Sequence, residues 1–327
     1  MLKVGVVGAG TMGSAHSRAY AAMPDVELVA IADIRAQAAT ALARECGARA
    51  VADLPGLLEE GVDVVDVCVP TPMHRAYVEQ CAGAGKHVVC EKPLARTLED
   101  ARAMMDACSD AGVELFVGQV VRFFPEYRRA RELVQAGALG EVGTARFTRG
   151  GGFPHASDDW YASFAQSGGV VVDLMIHDFD FLRWCFGPVR RVYALTTAGR
   201  EFNRLDHALV SLRFESGVMA HVEGTWAHPA GFATRFEIAG ANGIVQHDSE
   251  QAAPIHTTLR NPETGGAGVA VPESPTLHSP YELELRHFAD CLLYGAEPEV
   301  TAEDGYEALR ISHAALESAR TGRAVTL

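Results

Sequence analysis

Short apolar runs recur through the first third of the chain, each closed by glycine or a polar turn. Runs at 4–7, 28–32, 64–69, 87–90 and 114–118 predict strands. Between them, residues from the first glycines to about 22, then 73–84 and 98–111, carry a helix-compatible spacing. Near-continuous apolar strands alternating with helices suit a parallel sheet covered on both faces. From about Phe123 the pattern changes. A helix-like "PEYRRARELVQAGALG" leads into "EVGTARFTRGGG", and strand-like runs follow at 189–197, 207–214, 217–226 and 232–239. The turns "ESG" and "GANG" separate some of them. This half predicts an α/β unit with a large, open, mostly antiparallel sheet, helices on one side and the other side available for association. The stretch 247–279, rich in Pro, Gly and Thr, reads mostly as a long loop.

A chain of 327 residues fits two domains better than one. The division expected is 1–121, 122–300 and a closing helix and tail, 301–327, associated with the N-terminal domain. A formal charge of -14 disfavours nucleic acid as a partner. No apolar run approaches the roughly 20 residues of a bilayer-spanning helix, so no membrane partner is expected. No charged leader with an apolar core and cleavage site is recognisable, and a cytoplasmic location is the expectation. Seven cysteines without CxxC spacing argue against a disulfide scaffold or a cysteine-rich zinc site.

The first predicted strand runs into "GAGTMG", in which Gly8, Gly10 and Gly13 have GxGxxG spacing. Such a turn lets a pyrophosphate approach backbone at a helix N-terminus, where Thr11 and Met12 follow. The second strand ends at Asp33, 20 residues beyond Gly13, where a carboxylate accepts hydrogen bonds from ribose hydroxyls. Strand, turn, helix, strand and acid together predict a Rossmann domain for a dinucleotide. Asp33 repels a 2′-phosphate and so favours NAD over NADP. Ile34 and Arg35 follow; Arg35 either stacks on adenine or meets a phosphate, or it faces solvent at a helix start. Ligands of such sheets lie beyond the carboxyl ends of the strands. Thr71, Pro72 and His74 in "TPMH", and Glu91 and Lys92 in "VVCEKP", occupy that edge. The chain has three lysines among 28 basic residues, and Lys92 is the one placed where a reactive ring should arrive.

In the second half, "SGGVVVDLMIHDFDFLRWCFG" puts Asp173, His177 and Asp180 at i, i+4 and i+7, one face of a helix. A histidine near its ordinary pKa of about 6.5 can take a proton from an alcohol. Asp180 either sets the imidazole tautomer or neutralises another neighbour. No third ligand has helical spacing with Asp173 and His177, so no metal is expected. His155, Trp160, Tyr161, Arg122, Trp226 and His228 are candidates for a polar pocket with an aromatic wall; Trp160 and Trp226 have packing as their alternative.

The segments "GVVGAGTMG", "TPMH", "EKP" and "GGVVVDLMIHDFD", with the tail "TAEDGYEALRISHAALESARTGRAV", resemble the glucose–fructose oxidoreductase and inositol dehydrogenase (Gfo/Idh/MocA) family over nearly the whole chain. The resemblance implies Lys92, Asp173 and His177 as the catalytic set and a cis peptide before Pro93. It also implies an open sheet that often forms the oligomer interface, hence a homodimer or homotetramer. Gln119 is placed to contact the cofactor's carboxamide, and Arg122 and Phe123 to mark the crossover into the substrate domain. Two departures stand out: Val170 replaces a third glycine, and Met175 stands where glycine is frequent, changes expected to narrow the pocket or shift the helix.

The reaction implied is oxidation of a secondary hydroxyl of a sugar, cyclitol or related polyol. His177 is the general base, Lys92 supplies positive charge at the incipient alkoxide, and Asp173 holds a substrate hydroxyl. Lys92, Arg122, His155, Trp160, Asp173 and His177 are the expected substrate contacts. Two other readings stand beside it: an NAD-retaining, redox-assisted glycoside-cleaving enzyme, and a catalytically silent NAD-dependent sensor or scaffold.

Overall fold

The structure is a computed structural model describing residues 1–197, 206–229, 231–251, 255–259, 271–273 and 278–327. In chain order the first elements are β1 Leu2–Val7, α1 Thr11–Ala21, β2 Val26–Ala32, α2 Ala36–Cys46, β3 Arg49–Val51, α3 Leu54–Glu59, β4 Val64–Val67, α4 His74–Gly83, β5 His87–Glu91, α5 Leu98–Ala111 and β6 Leu115–Gly118. Then come α6 Pro125–Gln135, β7 Val142–Gly150, α7 Phe164–Ser167, α8 Gly169–Asp173, α9 Ile176–Phe186, β8 Val189–Thr196, β9 His207–Phe214, β10 Met219–Thr225 and β11 Ala233–Gly240. The last are β12 Gly243–Asp248, β13 Ile255–Leu259, β14 Val271–Glu273, α10 Pro280–Tyr294, α11 Ala302–Thr321 and β15 Val325–Thr326.

Two compact units emerge, Met1–Phe123 with His278–Leu309, and Phe124–Leu277 with Arg310–Leu327. The sequence division had placed 278–300 in the second domain and the whole tail with the first. Packing explains the difference. Phe288 of α10 stacks on Phe116 of β6 at 4.9 Å, and Asp25 binds Arg286 and, at 2.8 Å, the Tyr294 hydroxyl. These ties hold α10 to the first unit. At the other end of the tail, β15 pairs with β8, and Ser318 Oγ accepts the Ala194 N–H at 2.9 Å.

The first unit's sheet is parallel, in the order β3-β2-β1-β4-β5-β6. Its central strands are buried on both faces: Val4, Val6, Val65, Val67, Val88 and Cys90 are all fully inaccessible. Each such valine contributes about 1.5–3 kcal/mol by leaving water. The strand order reverses between β1 and β4, so the crevice falls at the carboxyl ends of these strands. Local signals start and stop the helices. Thr97 caps α5, its hydroxyl accepting the Asp100 N–H at 3.1 Å, and Gly112 ends it in the left-handed region.

The second unit's nine strands run β14-β13-β12-β11-β7-β10-β9-β8-β15 in an open sheet. Only β7 and β10 pair in parallel among them. The 247–279 stretch is not mostly loop. It contributes the end of β12 together with β13 and β14, and its remaining segments lie outside the described residues, apart from 249–251 and 278–279. Its segment "IHTTL" gives little apolar alternation by which to find a strand. Along β8 and β9 the alternation is regular: Val192, Ala194, Val210 and Leu212 are buried, whereas Tyr193, Leu195 and Leu209 are 40–55% exposed.

Inside this unit Tyr127, Phe147, Phe181 and Phe236 pack as one aromatic cluster. Beside it lies a buried ion pair. Arg149 of β7 gives Nε and Nη2 to the two oxygens of Asp178 on α9, at 2.9 and 2.7 Å, and Nη2 also reaches the Tyr127 hydroxyl at 3.1 Å. Both charges are nearly inaccessible. The pair fixes α9 against the sheet, and the fork geometry leaves α9 one register. Arg149→Met alone strands the Asp178 charge and is expected to destabilise the fold by about 3–5 kcal/mol, while Arg149→Met with Asp178→Leu recovers most of the loss. Urea midpoints of the single and double variants check this.

Candidate functional site

In the first unit the glycine turn is shaped by close approach. Gly8 has φ +103°, and a Cβ on Gly13 would fall 1.7 Å from the Gly8 carbonyl oxygen. Helix α1 thus starts pressed against the end of β1. Gly10, its N-cap, has open space around it, room for a pyrophosphate to reach backbone, and Thr11 and Met12 open the first helical turn.

Asp33 stands at the end of β2. One oxygen accepts the Ala9 N–H at 2.7 Å, and the other accepts the Arg35 N–H at 2.7 Å. Arg35 also folds its guanidinium back onto the carboxylate, with two contacts of 3.1 Å. Burial opposes ionisation, but Arg35 and the two amides outweigh it and hold the carboxyl below its ordinary value. Neither reading of Arg35 anticipated this return onto Asp33. Ile34 stands 84% exposed beside it.

Thr71 and Pro72 open a short 3-10 turn after β4, and His74 begins α4. His74 is buried. Nε2 faces the Val69 carbonyl at 2.9 Å, and Nδ1 faces those of Pro93 and Leu94, each at 3.1 Å. Burial lowers its pKa while the facing carbonyls raise it, and the ring sits between the end of β4 and the turn holding Lys92. The Lys92–Pro93 bond is cis, and Glu91 accepts the Lys92 N–H at 2.9 Å. Gln119 is fully buried with neither amide atom hydrogen-bonded, which leaves a donor and an acceptor for a carboxamide. The open glycine turn, the acid at β2 and this amide fit a nicotinamide dinucleotide.

Arg122 departs from expectation. Its guanidinium is 1% exposed and is committed to the Glu299 carbonyl at 2.6 Å and both Asp304 oxygens at 3.2 Å. It braces the start of α11 rather than offering itself as a substrate contact. The sequence signal for it was a carboxylate far away in the chain, and nothing in the local pattern points there.

In the second unit Asp173 and His177 lie on successive helices. Asp173 ends α8 and His177 sits in the first turn of α9, with Leu174 and Met175 between. Met175 N–H reaches back five residues to Val170, and Asp178 N–H only three to Met175, so the continuous helix expected there is interrupted. The interruption coincides with Met175, which is fully buried against Gly224 of β10; a Cβ on Gly224 would lie 2.3 Å from its Cγ. The bulk expected to narrow a pocket is taken up by a glycine in the sheet. Val170 is likewise buried, and Asp206, missed in the sequence reading, accepts its N–H. Burial raises the Asp206 carboxyl despite that bond. Asp173, His177 and Asp180 are all buried.

His155 is exposed and Trp160 partly so, stacked on Tyr161 at 3.9 Å. Trp226 is a packing residue, 3% exposed, edge-on to Phe153 and Tyr161. His228 is half-buried against Gly150. Among the described residues one group has ligand-type atoms close enough for a metal ion, His16, Asp66 and Cys68 in the first unit. Its His16 Nδ1 to Asp66 separation of 2.8 Å is a hydrogen bond, and burial pushes the Cys68 thiol well up, so the group binds itself.

A switch-point crevice with a glycine turn, an acid at β2 and an orphaned amide defines a nicotinamide-dependent oxidoreductase, joined to an open-sheet second unit. The chain belongs to the Gfo/Idh/MocA family: residues 2–119 match its oxidoreductase family NAD-binding Rossmann fold and residues 127–246 its C-terminal domain. It is 31% identical to scyllo-inositol 2-dehydrogenase (NAD(+)) of Bacillus subtilis (strain 168), covering 100% of this chain and 96% of that protein. A structure of levoglucosan dehydrogenase with NADH and L-sorbose is similar, with TM-score 0.89 and 26% identity over 99% of this chain and 98% of that one. A structure of GenD2 from gentamicin A biosynthesis with NAD has TM-score 0.87 and 29% identity, covering 100% and 96%. The protein is thus an NAD-binding enzyme of the class acting on CH–OH groups. No described helix is long and apolar enough to cross a membrane.

Two expectations follow. Asp33→Ala removes the 2′-phosphate's repulsion and frees Arg35, so the ratio of kcat/KM with NAD to that with NADP should fall by about tenfold or more. Asp304 is held at about 2: burial raises it, but Arg122 and Thr301 lower it further. A depressed folded pKa gives stability that is present above the ordinary 3.8 and lost as pH falls towards 2. Asp304→Asn should therefore cost on the order of 2 kcal/mol near neutral pH, with the gap to wild type closing towards about pH 2 in urea titrations.

Proposed function

We propose that this protein oxidises a secondary hydroxyl of a cyclic polyol, a sugar or cyclitol, with Lys92, Asp173 and His177 as the reacting side chains. The observation that carries the reading is the Lys92 turn, held by Glu91 on one side and by His74 on the other at the carboxyl edge of a dinucleotide sheet. Similarity over the full length to a cyclitol dehydrogenase and to a levoglucosan dehydrogenase supports the substrate class.

When bound, NAD+ supplies the acceptor for the carbon-bound hydride. Gly8, Gly10, Thr11, Met12 and Gly13 bind its pyrophosphate, Asp33, Ile34 and Arg35 the adenosine half, and Thr71, Pro72, His74, Glu91, Lys92 and Gln119 the nicotinamide half. His177 takes the hydroxyl proton, and an imidazole suits this at neutral pH better than a carboxylate with a pKa of about 3.9. Lys92 places a positive charge where the alkoxide develops, the position at which electrostatic stabilisation differs most between ground and transition states. Asp173 holds a substrate hydroxyl. His155 and Trp160 complete the substrate contacts. Residues 1–121 form the cofactor domain. The outward Tyr193, Leu195, Leu209 and Met219 give the second unit's sheet an apolar face suited to a homodimer or homotetramer in the cytoplasm.

A screen of cyclitols and sugars followed at the nicotinamide absorbance band should find NAD reduction. Lys92→Met should lower kcat by about a hundredfold or more with NAD affinity within about threefold. His177→Asn should remove the acidic limb of the pH–rate profile; an unchanged limb assigns the base elsewhere. Tight NAD retention without net reduction on any polyol would favour the glycoside-cleaving alternative.

A further inference from the structure

The group of His16, Asp66 and Cys68 lies beneath the cofactor platform and has no part in the chemistry above. His16 projects from α1, fully buried. Its Nδ1 is 2.8 Å from Asp66 Oδ2 of β4, and its Nε2 is 3.3 Å from Glu91 Oε1 at the end of β5, an ion-pair contact rather than an aligned hydrogen bond. The other Glu91 oxygen accepts the Lys92 N–H at 2.9 Å. A continuous chain of contacts thus runs Asp66, His16, Glu91, Lys92.

We propose that His16 is a positioning residue for Lys92: a buried imidazolium clasped by Asp66 and Glu91, it fixes the carboxylate that anchors the Lys92 backbone. The inference rests on the reading of Lys92 as a reacting group. A neutral imidazole has one N–H and satisfies one carboxylate, leaving the other charge buried against a lone pair. The protonated ring serves both and halves the uncompensated charge. The remaining groups facing the ring agree with this. Cys68 lies 3.4 Å from Nδ1 and is aligned to give its proton to Asp66 at 3.2 Å, and the Tyr281 ring of α10 is tilted at 6.3 Å. On the same helix, Tyr20 is buried and its phenol is pushed up by burial and then by Asp66, with Glu284 of α10 adding to the effect. Burial disfavours charge on His16, but Asp66 overcomes it and raises the pKa well above 6.5.

The test uses the full chain with 15N-labelled histidine. Both ring nitrogens of His16 should remain protonated at about pH 8, and Glu91→Gln should move the ring's titration to lower pH. A ring already neutral near pH 7 overturns the proposal. In turnover, His16→Gln should lower kcat by about tenfold or more, with KM for substrate and Kd for NAD within about threefold. Adding Glu91→Gln should cost little more, since both cut one link; multiplicative losses overturn it. Should His16→Gln fail to fold, Glu91→Gln alone, which keeps an oxygen for the Lys92 N–H, should show the same kcat loss, and normal turnover overturns the proposal. Lys92→Met separates the two readings. If it turns over normally, the proposed role of Lys92 falls whatever the state of His16. If it is inactive while His16→Gln is normal, only the positioning role falls.

Discussion

Taking a guanidinium out of water without a carboxylate costs on the order of several kcal/mol, and both units of this protein bury one. In the second unit Arg149 and Asp178 satisfy each other through two parallel bonds, and the Tyr127 hydroxyl takes a third donor. Asp178 follows His177 directly in the chain, so the pair that locks α9 to β7 also limits where the imidazole can point. In the first unit Arg122 closes on Asp304 and the Glu299 carbonyl. These pairs need geometry more than strength. Neither contributes much over a well-packed apolar alternative, yet each permits a single register of helix against sheet.

The sheet edge of the first unit follows the same logic with imidazoles. His74 lies among the carbonyls of the turns that follow β4 and β5, and burial brings its pKa down. His16 lies among carboxylates, and its pKa moves the other way. Identical side chains thus take opposite protonation behaviour from what surrounds them. Both bear on the few residues around Lys92, the half-buried lysine of the "EKP" segment.

Bulk is handled as charge is. Met175 is fully buried, and Gly224 on the facing strand leaves room for its thioether. The same methionine marks the interruption between α8 and α9, so Asp173 and His177 belong to two helices. The i, i+4 relation suggested one helix because periodicity counts residues and is blind to what the facing strand provides.

Much of the first unit was legible from the chain alone. Buried parallel strands are continuous apolar runs, α5 begins at its threonine cap and ends at its glycine, and the glycine turn with Asp33 follows from local sterics. The alternation along β8, β9, β10 and β11 was equally plain, because one face is buried and the other is not. What escaped were β13 and β14, whose sequences carry no regular apolar alternation, and partnerships far apart in sequence. Arg122 meets Asp304, Arg149 meets Asp178, and the histidine of "GSAHS" meets carboxylates 50 and 75 residues on, Asp66 and Glu91. The order of residues determined the strands, the turns and the chemistry available. Only the folded chain decided which charges face each other, because a buried charge is defined by its spatial neighbours and these have no fixed spacing along the backbone.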